Sequence, residues 1–120
     1  MDTRNKILTL EAAFRLPRGE LSVIAGYFDA LRAAHIQELT ALARPLLAVV
    51  LPRTNELLPQ RARAEMTAAL RVIDYVVTAD NRDLDALVEA LAPREFVRVE
   101  ERDRALVQQL IEHVHSRQTR

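Results

Sequence analysis

From Gly26 to His35 the chain reads Gly-Tyr-Phe-Asp-Ala-Leu-Arg-Ala-Ala-His, a run that combines a glycine, an acid, an arginine and a histidine within one short stretch. The five uncharged residues before it, Leu21-Ser22-Val23-Ile24-Ala25, suit a central parallel strand covered on both faces. Gly26 then falls at the carboxyl end of that strand, where an open α/β sheet places its ligand crevice. Residues 31–43 have helical spacing, so the first turn of that helix aims free backbone N–H groups at the mouth of the crevice. The chemistry this arrangement suits is the holding of a phosphate. Arg32, Arg53, Arg63 and Arg98 all fall at or near strand ends or helix starts. Arginine grips phosphate with a two-pronged fork where histidine offers a single donor. Asp29 has two open roles, as a metal contact through a substrate or as a cap for the loop and the helix behind it.

The elements that must position these residues follow from pattern. Thr9 caps a short helix from Leu10 to about Arg15, stopped by Pro17, and Arg18-Gly19 turns into the first strand. After the Gly26 loop, Ile36, Leu39 and Leu42 or Ala43 form the stripe of a helix lying on a sheet, ended by Pro45. Leu46 to Leu51 is a second strand, 52–59 a loop, and Arg61 to Arg71 a helix burying Met66, Ala69 and Leu70. Ile73 to Thr78 is a third strand. Asp80, Asn81 or Asp83 caps a helix to Leu91, closed by Pro93. Glu95 to Val99 is a fourth strand, and Arg104 to about His115 a last helix. Short connections between alternating strands and helices argue for parallel βαβ units with right-handed crossovers. The expected fold is one α/β domain over residues 1–120, a three-layer sandwich with a mainly parallel sheet of four or five strands. Its core is expected to include Val23, Ile24, Val49, Val50, Leu70, Val76, Val77 and Leu87. With only two glycines in the chain, Gly19 and Gly26 are expected where φ freedom matters.

Residues 26–35 resemble the G-x-F-D-x-x-H-x-G-H segment of the cytidylyltransferase-like nucleotidyltransferases. Within that family, the likeness is to the adenylyltransferase domain of heptose-phosphate enzymes and to glycerol-3-phosphate cytidylyltransferase. Lys6-Ile7-Leu8-Thr9-Leu10-Glu11 is similar to the K-I-x-x-L-E-E opening of the heptose adenylyltransferase domain. The stretch from Arg63-Ala64-Glu65 to Asp74-Tyr75-Val76-Val77 resembles its R-A-E-x-L-x-A-L-x-x-V-D-Y-V-V segment. Asp83-Leu84 to Val97 follows its L-x-x-L-x-P-x-x-x-V pattern, so the resemblance covers about residues 6 to 99. It implies a Rossmann-like sheet of order 3-2-1-4(-5), with the switch point beside the first strand. It implies Arg32 and His35 at the catalytic positions, and Gly26, Tyr27, Phe28, Asp29, Arg63 and Arg98 around a nucleotide, with Mg²⁺ accompanying that nucleotide in an active enzyme.

The chain departs from the family pattern in chemically important places. Arg32 stands for the first histidine of H-x-G-H and Ala34 for its glycine. The loop after the second strand is reduced to Pro52-Arg53-Thr54-Asn55-Glu56-Leu57-Leu58-Pro59, without the family's lysine and glycines. Arg98-Val99 replaces a K-G pair after the fourth strand. Phosphoryl chemistry depends on positioning and electrostatic stabilisation, so the loss of donors bears directly on turnover. The leading expectation is a degenerate site that binds a nucleotide or a phosphorylated small molecule with weak or no turnover. Two alternatives stand beside it: an active cytidylyl- or adenylyltransferase on a small phosphorylated sugar or polyol, and a non-catalytic interaction module.

Composition narrows the remaining classes. Seventeen basic and seventeen acidic residues give zero formal net charge, so no global field recruits nucleic acid or an anionic membrane. Lys6 is the only lysine, which leaves no catalytic ammonium beyond it. Cysteine is absent, excluding disulfides, thiolate chemistry and zinc–thiolate sites. With no leader pattern and no spanning apolar run, the expected location is cytoplasmic. His113 and His115 are two apart on a helix and do not share a face, so no metal site is expected there. Leu106, Val107, Leu110, Ile111 and Val114 form a broad apolar stripe on the last helix. The stripe is expected to cover the sheet, with any remaining surface or an exposed sheet edge serving a homodimer.

Overall fold

The computed structural model describes residues 3–28, 41–42, 44–52 and 59–99. A 3₁₀ turn over Thr3–Lys6 leads into β1 (Ile7–Leu8). There follow α1 (Leu10–Phe14), β2 (Ser22–Gly26), β3 (Leu46–Val50), α2 (Gln60–Ala68), β4 (Tyr75–Thr78), α3 (Asn81–Leu91) and β5 (Glu95–Arg98). The five strands form one all-parallel sheet in the order β1-β4-β3-β2-β5. The four strands expected from the sequence stand in the expected 3-2-1-4 order. The fifth does not extend the sheet beyond β5. It is β1, at the opposite edge, with Ile7 beside Val76 and Leu8 beside Val77. Two residues are too few to show a period of two, which is why this strand left no signal in the pattern.

Side-chain alternation divides the core between the two faces of the sheet. Val23, Ala25, Leu47, Val49 and Val77 pack with Ala13 of α1 and with Leu84, Leu87 and Leu91 of α3. Ile24, Leu46, Ala48, Val50 and Val76 pack with Ala64 and Ala68 of α2. Helices thus lie on both faces, and the sheet is the middle of three layers, a Rossmann-like α/β sandwich. Leu84, Leu87 and Leu91 fall at i, i+3 and i+7 and are all buried. Each such leucine contributes about 1.5–3 kcal/mol on removal from water. Of the expected core, Val23, Ile24, Val49, Val50, Val76, Val77 and Leu87 are buried, while Leu70 is half-buried against the α2-side cluster. Residues 104–115, expected as a final helix, lie outside the described residues, as does most of the helix expected over 31–43.

The helix ends obey local chemistry. Thr9 accepts a hydrogen bond from the Ala12 N–H at 3.2 Å, and Asp80 accepts one from the Asp83 N–H at 2.7 Å. α3 ends on Ala92 in the left-handed region at φ 42°. Gly19, at φ 77°, donates its N–H to Leu91 O at 2.8 Å, so the turn before β2 also closes the end of α3. The buried face of α2 differs from the expected one. Met66 is 52% exposed and Ala69 is exposed, whereas Arg63, Ala64, Thr67 and Ala68 face the sheet. A face chosen by hydrophobicity selects Met66. The real face is set by Arg63, which turns inward to reach backbone carbonyls, and by Thr67, whose hydroxyl donates to Arg63 O at 2.8 Å. Among the described residues, no helix is long and apolar enough to cross a membrane.

Candidate functional site

β2 lies between β3 and β5, and the chain leaves it towards β3 before returning to β5 on its other side. That reversal makes the carboxyl end of β2 the switch point of the sheet. Gly26 is the last residue of β2 and pairs with Val50. The Leu51 N–H donates to Gly26 O at 2.9 Å, and the Val99 N–H donates to Ala25 O at 2.8 Å. The second bond draws the Val99 side chain over Gly26. A Cβ at position 26 would overlap Val99 Cγ2 and lie 3.6 Å from Phe28 Cε2. Gly26 is therefore required for its small size. The expected φ freedom is found at Gly19 and not at Gly26, whose φ is not positive.

Tyr27 and Phe28 continue the strand end inward. Tyr27 is 8% exposed in the cluster on the α1–α3 side. Phe28 takes a left-handed backbone at φ 54°, and its ring, 3% exposed, joins the cluster on the α2 side with Ile24 and Val99. The turn is thus pinned by one aromatic ring on each face of the sheet.

Two side chains from the start of α2 finish the carboxyl edge. Gln60 Nε2 donates to Val50 O at 2.8 Å and to Ala79 O at 3.4 Å, bridging the ends of β3 and β4. Arg63 is fully buried, and its Nη1 donates to Tyr27 O and Leu51 O, both at 2.8 Å. Positions i and i+3 share a helix face, so one turn of α2 serves three strand ends. Buried carbonyls beyond the last ladder pair need donors, and these side chains supply them. Arg98, at the end of β5, is exposed and donates from Nη2 to Asn81 Oδ1 at 2.9 Å, reaching the first residue of α3. The start of α3 is itself capped by the Asp80 carboxylate.

The structure therefore brings Gly26, Tyr27, Phe28, Arg63 and Arg98 to the carboxyl edge, with Arg63 beneath it and Arg98 above. Asp29, Arg32, Arg53 and His35 lie outside the described residues. Sequence reasoning passed over Gln60, named Asn81 only as a candidate cap, and named Val99 only as a departure from the family pattern. Gln60 had one available signal, a polar side chain in the helix's first turn directly after Pro59; its amide N–H is free to serve the strand ends. Nothing in the sequence marked the contact between Val99 and Gly26, because it joins residues far apart in the chain.

The clearest perturbed acid stands at the opposite edge. Burial pushes the Asp74 carboxyl up. The hydrogen bond from Arg44, the bond from the Leu46 N–H and the charges of Arg44 and Lys6 outweigh it and hold the group below the ordinary carboxylate range. Among the described residues, no cluster of three or more histidine, aspartate or glutamate side chains is placed to hold a metal ion. No family model and no curated protein matches the chain.

Proposed function

We propose that this chain is a cytidylyltransferase-like nucleotidyltransferase with a degenerate site, which binds a nucleotide or a phosphorylated small molecule and turns over weakly or not at all. One observation carries the reading: the Gly26–Phe28 turn leaves β2, an inner strand, at the switch point of an all-parallel sheet, where such sheets receive ligands. The order of segments from Lys6 to Val99 supports the family. Arg32 in place of a histidine, Ala34 in place of a glycine and the lysine-free loop over 52–59 support weak turnover. In this reading His35 and Arg32 take the catalytic roles, Asp29 and Arg98 serve the nucleotide, and Mg²⁺ enters only with the nucleotide. A cytoplasmic location belongs to the same reading. So does a homodimer, for which Phe96, 38% exposed on a strand with one described neighbour, offers an apolar contact.

A second reading, a non-catalytic interaction module that takes no nucleotide, is favoured by a different observation. The space left by Gly26 is filled by Val99 and Phe28 of the chain itself. Calorimetry with CTP and ATP in the presence of Mg²⁺, paired with pyrophosphate release over a panel of sugar and polyol phosphates, separates the readings. Heat of binding without pyrophosphate is the expected result. Turnover that disappears in His35→Ala would instead establish an active cytidylyl- or adenylyltransferase. Absence of both heat and thermal shift would leave the interaction module. Light scattering reads the dimer.

A further inference from the structure

We infer that Arg63 is the positioning residue of the Gly26–Phe28 turn: its buried guanidinium ties the Tyr27 and Leu51 carbonyls together and so fixes how the turn leaves the sheet, without itself touching a ligand. Resemblance assigns this arginine to the nucleotide, but its side chain has no exposure from which to meet one. Its Nη1 reaches both carbonyls at 2.8 Å. Those carbonyls lie one residue beyond the last β2–β3 pair, Gly26 with Val50. The guanidinium thus acts as one more rung between strands that have already parted. Its own backbone is held on both sides, the Arg63 N–H donating to Pro59 O at 3.1 Å and the Thr67 hydroxyl to Arg63 O at 2.8 Å. The turn it holds contains a non-glycine residue at φ 54°, a conformation that persists only where the surroundings over-determine it. The Tyr27 and Phe28 rings are two such constraints among the described residues, and the tether on the Tyr27 carbonyl is a third. Both bonds leave Nη1, whose two N–H groups are fixed in the guanidinium plane, a direction that the rotating ammonium of a lysine does not reproduce.

The part of this inference that concerns a ligand rests on the proposed nucleotide reading; the part that concerns the turn does not. Ligand-free Arg63→Lys and Arg63→Met are compared with wild type by carbonyl ¹³C shifts and amide exchange. Tyr27 and Leu51 carbonyl signals are expected to move, and the Leu51 amide, bonded to Gly26 O, to exchange about tenfold faster or more. Amides of Val23 and Val49 in mid-strand should hold. In titrations with CTP, CMP and inorganic phosphate, a positioning residue weakens all three by a common factor. A loss that grows with the number of phosphates, over an unchanged ligand-free spectrum, would overturn the inference. Should both variants unfold, the wild-type Arg63 guanidinium resonances decide the matter. Signals that stay fixed on saturation with CTP and Mg²⁺ support positioning, and signals that shift refute it. If wild type binds none of the three probes, the nucleotide reading fails, and the ligand-free carbonyl and exchange data still judge Arg63.

Discussion

At the amino edge of the sheet, Asp74 accepts from Arg44 Nε at 3.2 Å, from Arg44 Nη2 at 2.5 Å and from the Leu46 N–H at 2.8 Å. Lys6 Nζ donates to Leu70 O at 3.1 Å beside it, and Arg94 Nε donates to Gly19 O at 3.4 Å. The arginines are charged groups at the surface and Lys6 is half-buried, while Asp74 also reaches inward to the buried Leu46 N–H. At the carboxyl edge the corresponding work is done from inside, by Gln60 and a fully buried Arg63 bonded to backbone carbonyls. An exposed ion pair contributes little because solvent screens it. A buried guanidinium with carbonyl acceptors is costly to disturb, since every group left behind is desolvated. One edge is closed mainly by surface charges with a single inward bond from Asp74, and the other from within by Gln60 and Arg63.

The comparison is broken most severely by filling the carboxyl edge. Gly26→Val is expected to cost about 3 kcal/mol or more by denaturant titration, because the new side chain meets Val99. The Val99→Ala background should recover a large part of that loss, and a double-mutant cycle showing no coupling would remove the packing argument.

A smaller effect is expected at the amino edge. Asp74→Ala removes the acceptor of the buried Leu46 N–H and should cost about 1–2 kcal/mol at neutral pH. The Asp74 carboxyl sits below its ordinary value of 3.8 when folded, so its contribution is complete above that value. It is lost as pH falls through the lower, folded value. The stability gap between wild type and Asp74→Ala should therefore be flat near neutrality and close only in strong acid. A gap that closed nearer neutral pH would contradict the assignment. Smaller still, Ala92→Gly is expected to stabilise by about 0.5–1 kcal/mol, since it relieves a left-handed alanine at the end of α3. A lower melting temperature in that variant would show that Ala92 makes contacts worth more than its strain.

The parallel sheet was legible in the sequence because buried parallel strands read as unbroken apolar runs. Leu46–Val50 and Ser22–Gly26 are buried at every position. Helix caps were legible, Thr9 outright and Asp80 as one of three candidates, because capping is a local event within three residues. The inward face of α2 was not, since a buried arginine reverses the rule that hydrophobic residues choose the face. The same reversal leaves Arg63, which resemblance assigns to the nucleotide, fully buried against the Tyr27 and Leu51 carbonyls. Gly26 was recognised as special, but the reason, Val99 arriving from seventy-three residues later, is a tertiary fact that spacing does not encode. The catalytic positions at Arg32 and His35 rest on resemblance alone.

The most direct test of the carboxyl edge as the ligand site is an ¹H–¹⁵N titration of the full chain with CTP and Mg²⁺. The account predicts saturable shifts gathered on Gly26, Tyr27, Phe28, Arg98 and Val99, with Gly19, Leu46 and Asp74 at the amino edge unmoved. Shifts centred on the amino edge, or none at millimolar nucleotide, would contradict it.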